Sequence, residues 1–413
     1  MALRDIKNTV IPMKKATASG DGQNEYYLKI SRKFRLAKYI TFFMLIIFIV
    51  IMITSFGENI TVENLRYVLK YIDTQSSTPQ SGYQDIQYGA TSGNFALYKG
   101  DLVVVDTMGL HIYDRNSKTL LSSSFKYVCP TVLVSDKYIL VYDLGGTSYS
   151  VFNSFGLVYE ETLDYPISHA SISPDGTFII STRTKEYRSA VYFYNKDFKR
   201  AYSWYSADKY VIATSILSDG SKFLISSVSA SRLGNFTSQI LVCSPSTEDK
   251  QADIILEDEA VMGNEFFKDG AFASLGNSAL RFYDPYYKQT SVYGFSTASP
   301  NAYYSSSEYE CVMLAFKVNI VGNENNVIFW NSKGEQIYNG TINGDVIDLV
   351  FAKNCAYILT DNSVVLIDFN GQKQYTYSLE LNARRIFAVD DGTILVCYST
   401  RAQAYNTSEI FFY

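Results

Sequence analysis

Five Cys, eight Pro, two His and two Trp in 413 residues are few, and each scarcity removes a class of protein. Two histidines give no support to a His-based metal centre, because a structural zinc site gathers four ligands in space. The cysteines, at 129, 243, 311, 355 and 397, are too dispersed for a metal or redox motif, and their odd number is not a disulfide framework. Eight prolines exclude a Pro-rich scaffold. Charged residues are only 19% of the chain, whereas 47% are hydrophobic, with 35 Tyr and 26 Phe, a composition that folds rather than stays disordered. There is no GxSxG elbow, HExxH, phosphate loop or GxGxxG, and no Cys/His pair placed as nucleophile and base; no catalytic residue, metal site or cofactor is implied. His111 in LHIYD and His169 in SHASIS read as structural or solvated residues.

The net charge of −5 is unevenly spread. Residues 1–38 hold nine Lys or Arg against three acidic residues, a balance of +6 that leaves −11 for the other 375. So acidic a bulk is a poor binder of nucleic acid. Between Lys38 and Glu58 lie 19 uncharged residues, YITFFMLIIFIVIMITSFG, which as a helix span about 28 Å, the thickness of a hydrocarbon core. The run is apolar all round, unlike an amphipathic core helix, and no small-x-small cleavage site follows it, so it reads as a retained signal anchor. Lys29, Arg32, Lys33, Arg35 and Lys38 crowd its N-terminal side, which places the N-terminus in the cytosol and the remainder outside the membrane. Residues 61–73 (TVENLRYVLKYID) set Val62, Leu65, Val68, Leu69 and Ile72 on one helical face, and residues 74–84 have linker composition.

From residue 84 onward short β runs alternate with turn signals, and almost nothing reads as helix. Runs able to start a repeat occur near Phe95, Val132, Ala170, Ile212, Met262, Ala302, Ile347 and Phe387, at a spacing of roughly 42 residues, the length of a four-stranded propeller blade. The turn between the first two strands often carries Asp-Gly, as at Asp175-Gly176, Asp219-Gly220, Asp269-Gly270 and Asp391-Gly392, which is expected to supply the positive φ angles of a two-residue hairpin. Around SISPDGTFIIS the sequence resembles WD40-like propellers of the TolB type, and its organisation is similar to bacterial membrane-anchored propeller families of unknown function. The Trp-Asp signature of ordinary WD40 repeats is absent, with Trp only at 204 and 330. The expected fold is all-β: a β-propeller of eight blades, with seven as the alternative, preceded by a single transmembrane helix. Gln84–Gly89 is expected to lend a strand to the last blade and so close the ring.

The expected organisation is a cytosolic basic tail (1–38), a transmembrane signal anchor (39–57), a juxtamembrane helix and linker (58–83) and an extracytoplasmic β-propeller (84–413). Cys243, Cys311 and Cys397, set among aliphatic strand residues, read as small hydrophobes between blades. Two aromatic clusters, Tyr192–Tyr205 and Tyr283–Tyr304, belong mostly to the core; Trp204, Tyr286 and Tyr287 are the candidate binding residues, the last two because they follow Asp284-Pro285 in an expected turn. The functional expectation is a non-enzymatic binding or scaffold protein, anchored in the cell membrane, that presents the propeller to an envelope protein or cell-wall glycan. The alternative is a propeller enzyme, a glycoside hydrolase or quinone-dependent dehydrogenase, whose carboxylates would lie on separate blades without a local signature.

In a chain otherwise stripped of cysteine, a membrane-impermeant thiol reagent applied to intact cells is expected to label single cysteines placed after residue 60 and to miss those placed in residues 1–28. The reverse pattern overturns the topology.

Overall fold

The computed structural model describes residues 34, 36–48, 50, 84–89, 94–230, 235–247, 249–295, 299–319, 322–370, 373–390 and 392–407. The chain divides into two units, Met1–Pro79 and Gln80–Tyr413. In the first, residues 36–48 are helical and every one of these side chains is exposed. Among the described residues no helix is long and apolar enough to cross a membrane. The end of the expected anchor (51–57), the expected helix at 61–73, residues 74–83 of the linker and the basic tail as far as residue 33 lie outside the described residues.

The second unit is an eight-bladed propeller of four-stranded antiparallel sheets. Strands β2–β5 (Asn94–Ser124) form blade one, β6–β9 (Pro130–Thr162) blade two, β10–β13 (His169–Ser206) blade three and β14–β17 (Tyr210–Glu257) blade four. Blade five is β18–β21 (Val261–Gly294), blade six β22–β25 (Ala302–Asn343) and blade seven β26–β29 (Asp348–Ser378). Blade eight joins β30–β32 (Arg385–Asn406) to β1 (Ile86–Gln87), its outermost strand. All eight expected repeat starts fall in, or within one residue of, a first strand, and the expected closing strand pairs Ile86 with Ala402 and Gln87 with Arg401.

Why the strands read as continuous apolar runs is clear from the packing. In β7 (Ile139–Asp143) Ile139 and Val141 point into the cluster shared with blade one, while Leu140 and Tyr142 point into the cluster shared with blade three. Successive side chains of a strand leave by opposite faces, so a middle strand buried on both faces has no polar positions to alternate. Eight such clusters exist among the described residues, one at every blade boundary, including the boundary of blades eight and one. Cys243, Cys311 and Cys397 sit in three of them as buried thiols, as expected. Outermost strands carry mostly exposed and half-buried residues, as in β17 (Ala252–Glu257), because only one edge of them meets protein.

The Asp-Gly turns at 175–176, 219–220 and 269–270 differ from the two-residue hairpin expected, whereas Asp390 pairs with Thr393 across a two-residue connection. At Ser173–Thr177 the Gly176 N–H donates to the Ser173 carbonyl (3.0 Å) and the Ser173 N–H to the Thr177 carbonyl (2.9 Å). Only Gly176 has positive φ (93°), so this is a type I turn closed by a glycine bulge. The Asp175 carboxylate accepts the Thr177 N–H (2.9 Å), and Asp219 and Asp269 do the same for Ser221 and Ala271. Aspartate is therefore selected for its acceptor and not for positive φ. The turns between third and fourth strands use the same device. Asp114, Asn195, Asp284 and Asn331 each accept the N–H groups two and four residues on, and the bulge position falls on Ser117, Phe198, Tyr287 and Gly334.

Residues 84–413 are expected to unfold in one cooperative transition. Ile86 is fully buried at the closing boundary, so Ile86→Asp should cost about 4 kcal/mol in urea denaturation by placing an unpaired carboxylate there. A fragment of residues 84–385 that melts like the whole propeller would show that the ring does not depend on closure.

Candidate functional site

Antiparallel alternation sorts the loops onto two faces. Turns between strands one and two and between strands three and four lie on one face; loops between strands two and three and the crossovers from each outermost strand to the next blade lie on the other. The chain enters on the first of these: the Gln84 N–H donates to the carbonyl of Arg115 in a third-to-fourth turn, and Gln87 N–H to the Ser117 hydroxyl. Exposed apolar side chains concentrate on the opposite, crossover face. Met108 (61% exposed), Val128 (87%) and Leu144 occupy its loops in blades one and two, Tyr210 and Met262 the entries to blades four and five, and Leu381 (66%) the crossover into blade eight. Three of these loops are tied together: Phe125 N–H donates to the Met108 carbonyl, Leu144 N–H to the Cys129 carbonyl, and the Asp143 carboxylate accepts the N–H groups of Val128 and Cys129.

On the same face a cleft of about 380 Å³ opens between blades two and three. Its walls are the crossover Thr162–Tyr165 and the loop Thr182–Glu186, held together by the Thr182 hydroxyl, which points at the carbonyls of Tyr165 (3.1 Å) and Pro166 (2.9 Å). At its base the Arg200 guanidinium lies 3.8 Å from the centre of the Tyr192 ring and 3.8 Å from Glu161, whose other oxygen accepts hydrogen bonds from Tyr149 and Tyr159. Arg183 covers the Tyr165 ring at 5.5 Å. At the rim Tyr187 and Tyr205 pack as a tilted pair at 5.1 Å, each about 40% exposed, and Tyr205 meets the Tyr192 ring edge-on at 6.2 Å. Burial raises the Tyr192 phenol above its ordinary pKa, so it stays a neutral donor.

The residues singled out from sequence do not converge. Tyr286 is 83% exposed in the expected turn, but on the face where the chain enters. Tyr287 packs against the cluster at the boundary of blades four and five, donates to Gln251 (2.8 Å) and lies under the Lys222 ammonium. Trp204, on the outermost strand of blade three, packs partly buried into the boundary with blade four. His111 lies on the third strand of blade one. His169 lies on the innermost strand of blade three, where burial lowers its pKa. The cleft residues Glu161, Arg183, Tyr187 and Arg200 were not singled out; the one local signal was RTKEYR (183–188), a loop with four charges in six residues.

Next to the ring axis, Glu265 on the innermost strand of blade five approaches Ser305 on that of blade six (3.4 Å). Burial pushes its carboxyl up to about 7, and the Ser305 and Ser307 hydroxyls only partly oppose this. The folded chain therefore holds this proton more tightly than the unfolded chain. Stability is full below pH 4.5, falls as pH climbs from 4.5 to 7, and levels off above. Urea denaturation at pH 5 and pH 8 should show a loss on the order of 2 kcal/mol that is reduced by this amount in Glu265→Gln. An unchanged pH dependence in the variant would clear Glu265 of the effect.

The ring is similar to the C-terminal WD40 domain of Sif2, with 13% identity, a TM-score of 0.56, and 79% of this chain and 97% of that one covered. It is also similar to BamB from Moraxella catarrhalis (10%, 0.54, 79% and 99%) and to a eukaryotic initiation factor (9%, 0.52, 78% and 88%). At such identities the likeness is one of fold. No curated protein matches the chain. The profile of a family of unknown function, DUF5711, matches residues 74–405 of the 413, and the chain belongs to that family.

Proposed function

We propose that this chain is a non-enzymatic binding or scaffold protein of the cell envelope, held by the apolar segment 39–57 with its N-terminus in the cytosol, and that it offers the crossover face of its propeller to an envelope protein or cell-wall glycan. The observation that carries the reading is the uneven distribution of exposed apolar side chains. Met108, Val128 and Leu144 stand in mutually bonded loops on the face opposite the chain's entry, and water-exposed apolar groups grouped in this way mark interaction surfaces. A membrane context is supported by residues 36–48, helical with Phe42, Phe43, Met44, Leu45 and Phe48 all exposed, the chemistry of a helix whose surroundings are lipid.

A photo-crosslinking residue at Val128 or Leu144 is expected to give a discrete adduct in intact cells, and one at Tyr286 to give none. Val128→Glu with Leu144→Glu should weaken capture at least tenfold while circular dichroism and melting stay unchanged, because side chains this exposed contribute little to the core. Turnover of a glycan or an alcohol by the purified full-length chain, abolished by Glu265→Gln, would replace this reading with the propeller enzyme.

A further inference from the structure

Eleven of the twelve side chains lining the cleft between blades two and three are polar or aromatic-hydroxyl at their tips, and the charged ones balance: Glu161, Asp164 and Glu186 against Arg183, Lys185 and Arg200. That balance decides against most ligand classes. An anion would meet three carboxylates, a cation three basic groups, and an apolar molecule would strand hydrogen-bonding groups that water otherwise satisfies. A neutral polyol meets none of these costs. Each of its hydroxyls both donates and accepts, and the cleft offers acceptors on Glu161, Asp164 and Glu186 close to guanidinium, ammonium and threonine donors. Its volume, about 380 Å³, lies within the range of small-molecule sites.

The rim adds an independent feature. Tyr187 and Tyr205 pack as a tilted pair with an interplanar angle of 36° and stay about two-fifths exposed, while Tyr205 rests edge-on against the buried Tyr192 at the base. Tyr187 is held there by its loop: its N–H donates to the Thr184 hydroxyl (3.0 Å), and its carbonyl accepts the Thr184 N–H (3.0 Å). Rigid aromatic faces that begin inside a polar cleft and continue onto the surface suit a ligand with alternating apolar C–H faces and polar edges, longer than one ring. We infer that the cleft between blades two and three binds a neutral oligosaccharide, with one sugar ring seated among Arg183, Glu186 and Arg200 and the next stacked on Tyr187 and Tyr205. This rests on the binding role proposed above and names the chemistry of one ligand for it.

The test uses the full-length chain in detergent, immobilised and exposed to uncharged tetrasaccharides of β-linked glucose, N-acetylglucosamine and mannose, with a tetragalacturonate as the anionic comparison. At least one uncharged tetrasaccharide is expected to bind in preference to tetragalacturonate. Tyr187→Ala and Tyr205→Ala should each weaken that binding at least tenfold, as should Arg183→Gln, all at exposed positions, whereas Tyr286→Ala on the opposite face should change it less than twofold. Binding of no uncharged probe, preference for tetragalacturonate, or affinity unaltered by the tyrosine variants overturns the inference. Such a failure alongside a retained crosslink at Val128 leaves the envelope-binding role standing and removes only the sugar site. Hydrolysis of the bound tetrasaccharide would overturn the non-enzymatic reading.

Discussion

Two residue pairs, Ile86 with Ala402 and Gln87 with Arg401, tie the first strand of the propeller to the last, and the other blades depend on that tie. No blade is stable as an isolated sheet, since its two middle strands are apolar on both faces and each face needs a neighbour. In an open row of blades the two terminal faces would stand in water. Closing the row removes both at once, and the closing boundary is as apolar as the rest, with Ile86, Leu395 and Cys397 against Phe95, Leu102 and Val104. The Tyr88 hydroxyl reinforces the join by bonding the carbonyls of Tyr398 (2.7 Å) and Arg401 (2.6 Å), so strand and crossover are fastened together.

With the interior committed to blade boundaries, the chemistry open to function is pushed to the loops and to the few polar groups on innermost strands. The two faces have diverged. The face where the chain enters is built from repeated bulge turns whose Asp and Asn side chains are consumed in capping their own backbones. The crossover face has longer loops, linked across blades by hydrogen bonds such as those of Asp143 and Thr182, and it carries both the apolar surface and the cleft. A rigid ring with variable loops is a common arrangement for recognition, because the scaffold prepays the ordering of the residues that meet a partner.

Much of the fold was legible because the same grammar is written eight times. A period near 42 residues, short apolar runs and Asp-Gly punctuation located all eight first strands, and QDIQYG was recognised as the closing strand. The turn type differs from the expectation at three of the four sites because Asp-Gly is common to two-residue hairpins and to type I turns with a glycine bulge; the loop length that separates them depends on where pairing stops, at Ile172 with Phe178 in one case and at Asp390 with Thr393 in the other. A second signal lies in the same sequence. DRNSK, NKDFK, DPYYK and NSKGE begin with Asp or Asn and recur once per blade in four blades, marking the third-to-fourth turns; it would have shown that Tyr287 occupies a structural bulge position.

The candidate site was far less legible than the fold. The aromatic run Tyr192–Tyr205 looks uniform in sequence, yet pairing sends Tyr192 and Tyr194 to the boundary with blade two, Phe193, Tyr202 and Trp204 to the boundary with blade four, and leaves Tyr205 at a cleft rim beside Tyr187. Glu161 and Arg200 belong to different blades, 39 positions apart, and the packing of one blade on the next brings them to 3.8 Å. By itself the sequence determined the class of fold, the repeat period, the closing strand and the apolar segment near the N-terminus, because each is written in local periodicity and composition; the choice of eight blades over seven came from the sheets themselves. The tertiary structure alone decided which face carries exposed apolar groups and which charged and aromatic side chains share a cleft, because those depend on the direction of each strand and on contacts between blades that no local pattern encodes.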